Sequence, residues 1–320
     1  MRLSIVDLRF LSAAFLGVVL WGGASAQPAL RADSLVVPAD VERLARFEAA
    51  TALAVDPTGR LYVTDAGADV LVCLAPDGAV LARAGGPGTQ PGAFDDPADV
   101  DPTNGLAIFV ADAGNARIQR FARAFRFLEA IPVGGDADGP VRSAYDREAG
   151  AWAGGTGEPI AVASTDADEL YAIDAAAGHV VYWGPRRRAV RTVGGFDDGP
   201  GRLGEPVALA LGREGRLYVA DRARDAVVVY DAFGSFLATI ADGRVAAVTG
   251  LFVDGGTLWL VRPDALLAYD EEGRFEGQWT VRLDDALVDA ARHRDATYLL
   301  TSNALYRLVN EGRGSREEDR

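Results

Sequence analysis

The chain has 320 residues and a formal net charge of −14, with 46 acidic side chains against 32 basic ones. Such a surface repels nucleic acid and anionic lipid, so neither is expected as a partner. All 32 basic residues are arginine and Cys73 is the one cysteine, which removes Schiff-base chemistry on lysine and any intramolecular disulfide.

Taken in order, the chain opens on a targeting signal. Arg2 and Arg9 precede an uncharged stretch with its apolar heart at Leu11 to Trp21, and Ala24-Ser25-Ala26 supplies the small-residue cleavage pattern. Gly22, Gly23 and Ser25 break the run short of the ~20 apolar residues that a spanning helix needs. Residues 1–26 are therefore expected to be removed before Gln27, leaving a soluble product in the periplasm or outside the cell, with no membrane insertion. Losing Arg2, Arg9 and Asp7 takes the net charge from −14 to −15. With no cysteine at the junction, a lipid anchor is not expected.

Residues 27–42 read as a lead segment, and Arg43 to Glu48 as a strand with no local partner. A unit of four short strands and tight turns follows at Thr51 to Ala84, and it recurs. The second unit spans Pro97 to Ile131; the third holds PIAVAS, ELYAID, HVVYWG and AVRTVGG; the fourth PVALAL, RLYVAD, AVVVYD and FLATIA. The fifth is worn, and the sixth offers only three strands, ALVDAA, ATYLLT and ALYRLV, so the orphan at 43–48 supplies its fourth. The expected fold is all-β: a six-bladed β-propeller of four-stranded antiparallel blades over 43–310, the last blade closed by an N-terminal strand. A charged tail at 311–320 is expected to be disordered.

Phe109-Val110-Ala111-Asp112-Ala113-Gly114-Asn115-Ala116-Arg117-Ile118-Gln119-Arg120-Phe121 resembles the NHL repeat, and the connectors GGPGTQPGAFDDP and GGFDDGPGRLGEP resemble that family's passage between blades. The resemblance is strong in units one, two and four; units five and six lack the aspartate that ends the second strand. It implies a six-bladed propeller used mostly for binding, with a few enzymatic relatives.

An aspartate ends the second strand at Asp65, Asp112, Asp174 and Asp221, at spacings of 47, 62 and 47 residues, so the third unit carries an insertion between Asp136 and Glu158. One carboxylate per blade fits a turn-fixing role, bonding backbone N–H groups two or three residues on, better than convergence on a calcium ion. The NHL-like propellers similar to peptide-amidating lyases hold a central metal with several histidines, whereas this chain has two, His179 and His293. Gluconolactonase-like propellers use a carboxylate-bound divalent metal in the channel. The inner strands here read as almost wholly apolar, with Asp99 and Asp254 taken as strand-end residues. No catalytic residue, metal or cofactor is assigned from the sequence. The reading preferred at this stage is a monomeric, non-enzymatic scaffold that binds a protein, peptide or glycan through the rim bearing the insertion, with Arg117, Tyr145 and Trp152 on that surface. A metal-dependent hydrolase or lyase acting at the channel mouth is the alternative.

Overall fold

The computed structural model describes residues 35–36, 40–134, 145–146, 151–152, 155–187 and 190–309. The leader, its cleavage site and the tail lie outside these residues. No helix among the described residues is long and apolar enough to cross a membrane.

Six four-stranded antiparallel sheets form the blades of the ring. Their inner strands are Ala50–Val55, Pro97–Asp101, Pro159–Ser164, Pro206–Leu211, Gly250–Asp254 and Leu287–His293, for blades one to six. A single blade has two apolar faces and cannot bury them alone, so each packs on its neighbours. At the seam between blades one and six, Leu61, Val63 and Leu74 meet Tyr298, Leu300 and Leu305. The second strands carry this burial: Leu61–Asp65, Ala107–Asp112, Leu170–Asp174 and Leu217–Asp221 are buried along their whole length. Each Val, Leu or Ile so placed contributes roughly 1.5–3 kcal/mol.

The ring is closed as expected from the unpaired N-terminal strand, with bounds shifted to Val41–Arg46. That strand runs antiparallel to Ala304–Leu308 as the outer strand of blade six. A second N-terminal piece, Leu35–Val36, adds a parallel fifth strand to blade five, where Val36 is buried. Within the insertion, Tyr145–Asp146 and Ala151–Trp152 pair as a small antiparallel hairpin.

One register irregularity repeats around the ring. The ladder between first and second strands slips just after the first inner-strand residue in blades one, two, three, four and six. A residue inserted there turns the following side chain to a new direction. The re-aimed positions are Ala52, Asp99, Ala161, Ala208 and Asp289. Three are alanines and two are carboxylic acids.

Candidate functional site in the central channel

The recurring aspartates act differently from the turn staples expected. Asp65 accepts hydrogen bonds from the Glu48 and Ala49 N–H groups at 3.0 and 2.8 Å, and Asp221 from those of Gly204 and Glu205 at 2.5 and 3.1 Å. Asp112 takes the Asp95 N–H at 2.8 Å and Asp174 the Glu158 N–H at 2.9 Å. Each thus takes at least one donor from the connector upstream and pins the start of a blade to its own second strand, and Asp112 adds Arg117, Asn115 and Gln119 from its own blade. Local backbone bonds are secondary, as from Arg224 N–H to Asp221 at 3.1 Å. Gly157 makes the approach to Asp174 possible, because a Cβ there would lie 2.5 Å from Oδ2.

Arg117 corrects the surface assignment made from sequence. It is fully buried, with Nε donating to Asp112 Oδ2 at 2.6 Å and the other nitrogens donating to the carbonyls of Thr89 (2.7 Å), Gln90 (3.1 Å) and Ala93 (2.8 Å). It holds the connector in place and offers nothing to a partner. Tyr145 and Trp152 lie opposite each other across the insertion hairpin. Arg187, in the short turn before the outer strand of blade three, is committed in the same way as Arg117. Its side chain is only 6% exposed, donates to the Asp168 carbonyl at 2.7 Å, and lies 5.2 Å over the Phe109 ring.

The channel is wider at one end. A cavity of about 280 Å³ is lined by the C-terminal halves of all six inner strands, and a narrower one of about 60 Å³ by their N-terminal halves. The wide end therefore opens on the face of the turns that follow the inner strands. The connector from blade two enters blade three through residues 155–158, at the N-terminal end of the inner strand Pro159–Ser164 and so on the opposite face. Residues 155–158 and the larger cavity are thus on different faces of the ring.

Asp99 and Asp289 line both cavities and so mark the waist of the channel. Each is held by two backbone donors. Asp99 accepts from Val100 N–H and from Val162 N–H of blade three, both at 2.7 Å. Asp289 accepts from Ala290 N–H and from Leu53 N–H of blade one, both at 2.8 Å. Asp99 is thus no strand-end residue: it reaches across a seam into the channel, and Asp289, unremarked in the sequence, does the same. Above Asp99, Asp101 accepts from the Ser164 N–H and hydroxyl, both at 2.5 Å, and from the N–H (2.8 Å) and hydroxyl of Thr103.

Depth within the ring sets the electrostatics. Burial pushes the Asp99 carboxyl well above the usual carboxylate range, and Asp289 and Asp101 nearby push it further. Burial alone lifts Asp289 to about 7. Asp101 is also raised by burial, against the pull of its Ser164 and Thr103 donors. The protonated form of a carboxyl that already accepts two N–H groups has one O–H left to give, and here the channel is beside it.

A divalent cation does not fit this set. No group of three or more His, Cys, Asp or Glu side chains placed to hold a metal occurs among the described residues. Asp99 and Asp289 supply two carboxyls, each oriented by two backbone donors, whereas calcium takes six to eight oxygens and zinc four ligands. His179 starts the third strand of blade three, and His293 ends the inner strand of blade six beside Gly59. The two do not meet.

No known protein family matches the chain, and no curated protein sequence matches it. Solved structures do match in fold. A putative gluconolactonase aligns with a TM-score of 0.60 at 16% identity, covering 87% of this chain and 96% of its own. A gluconolactonase from Xanthomonas campestris gives 0.58 at 13% identity, covering 83% and 88%. A catalytically inactive variant of virginiamycin B lyase from Staphylococcus aureus, with quinupristin, gives 0.57 at 11% identity, covering 85% and 88%. At these identities the likeness is one of fold: the chain is a six-bladed β-propeller whose solved neighbours include enzymes.

Proposed function

We propose that the protein is a hydrolase or lyase that acts on a small molecule in the wide end of the channel by acid–base catalysis. The observation that carries this is the pair of inward carboxyls at the waist, Asp99 and Asp289, on positions that three other blades fill with alanine. Two acids whose environments separate their proton affinities can serve as base and acid of one reaction. Asp289, pushed up to about 7, supplies a carboxylate base as pH rises through neutrality. Burial holds Asp99 toward its protonated form, and it gives that proton to the oxygen or nitrogen that departs. The lactonases and lyase among the fold neighbours support the class of reaction and say nothing of the substrate. The NHL-type motif in blades one, two and four is kept in this proposal as a description of the repeat, and the leader as its route of export.

The test is turnover of a panel of small lactones and esters by the purified protein. Asp289→Asn should lower kcat by about 10²- to 10⁴-fold. The wild-type rate should climb as pH rises through about 7, because the base is active only when deprotonated. Wild-type kcat in Asp289→Asn, or abolition of activity by a chelator, would sink the proposal.

Partner binding through the insertion rim is a second reading, favoured by the cross-hairpin register of Tyr145 and Trp152. It expects Trp152→Ala to lose whatever co-purifies with the wild-type protein from its native envelope. Equal recovery with both proteins would remove it.

A further inference from the structure

The wall of the wide cavity is not uniform. Blades two and three give it Asp99, Asp101, Thr103 and Ser164, and blade six adds Asp289. Blades four and five give Leu209, Leu211, Phe252 and Val253. A molecule seated there meets hydrogen-bonding groups on one side and apolar side chains on the other. Phe252 is the one aromatic residue among those lining residues.

Phe252 is also unusually well backed. Its ring stacks on Trp259 at 5.9 Å between centroids and 4° between planes. Trp259 in turn meets Trp279 at 4.7 Å, and Arg292 caps the Trp259 ring at 5.0 Å. A wall so supported keeps one orientation, and a flat surface held in place favours a flat ligand.

The charges point the same way. Among the described residues Arg292 is the only basic one lining the cavity, and it is committed: Nη1 pairs with Asp254 at 3.1 Å and Nε donates to Thr297 Oγ1 at 3.4 Å. An anion would find no uncommitted cation there, only carboxyls. At pH 6, where binding is to be measured, a cation fares little better, since the three acids accept backbone and hydroxyl donors and burial favours their neutral forms.

We infer that the substrate is an uncharged molecule bearing a planar ring, seated against Phe252, and that Phe252 sets this preference. The inference rests on the channel being the reaction site. Four probes of similar size separate the possibilities in calorimetric titrations of the whole protein: benzamide, cyclohexanecarboxamide, benzoate and benzylammonium. Benzamide should bind tightest, by about three- to tenfold over cyclohexanecarboxamide, the span expected of one aromatic contact. Phe252→Leu should erase that margin, with its thermal midpoint as the folding control. Equal binding of the two amides, tighter binding of either ion, or binding of none would overturn the inference, and these outcomes need no variant. The probes are not turned over. If Asp289→Asn leaves turnover intact while benzamide keeps its Phe252-dependent margin, the acid–base reading fails and the ligand class stands.

Discussion

Arg117 shows what a single residue does in this ring. Among the fully buried side chains it is the largest, and it links Asp112 to three carbonyls of the connector. Gln119 completes the arrangement, with Nε2 on Asp112 at 2.8 Å and Oε1 accepting from Gly92 N–H at 2.8 Å. Removing one partner of a buried ion pair leaves the other charged and dry, at a cost of about 3–5 kcal/mol. Arg117→Met is expected to lower stability by that amount in urea denaturation. Arg117→Lys should fail too, because an ammonium cannot reach the same acceptors. An unchanged midpoint in either variant would show the connector to be held by other means. The aligned positions in other blades are Val70, His179 and Ala226, and each pairs across the ladder with the matching aspartate. That alignment was legible in the sequence. Burial was not, because the stretch that covers Arg117 lies 24 to 28 residues upstream and meets it only once the blade is folded.

At the scale of elements, strand identity was the most readable feature. Short apolar runs between Asn, Asp, Gly and Pro turns mark the inner and second strands near their observed bounds. The orphan strand could be assigned because counting left blade six one short, and an unpaired edge invites a partner. Val41–Arg46 fills that place. Deleting residues before Phe47 should therefore expose the edge of Ala304–Leu308, giving a protein that melts at lower temperature and self-associates in size-exclusion chromatography. Deleting only residues before Asp40 removes Leu35–Val36 and should cost far less. Equal melting of the two truncations would deny the closing strand its role. What the elements hid was the waist. Asp289 sits in Ala286-Leu287-Val288-Asp289-Ala290-Ala291, a plausible strand with no repeat motif to align it. Without the register slip it could not be matched to Asp99.

For the whole molecule, the ring explains why reading the sequence located the fold more easily than the site. Repetition announces architecture, since each blade repeats the same bargain between apolar faces and polar turns. Function instead lies where the repeats differ. Two of six seams are fastened at the channel by a carboxyl, between blades two and three and between blades six and one. At the first of these a second acid, Asp101, reaches Ser164 as well. This choice is made by burial inside the ring and not by the net charge of the chain.

The closing strand has a practical consequence. Because Val41–Arg46 and Ala304–Leu308 lie side by side in the outer half of blade six, Asp40 and Val309 meet at one spot on the perimeter. A tag, fluorophore or tether joined at Asp40 or Val309 would hang from the rim like a key ring, away from both channel mouths. A surface to which the protein is fixed by that spot would meet it edge-on, leaving molecules free to diffuse in from both sides.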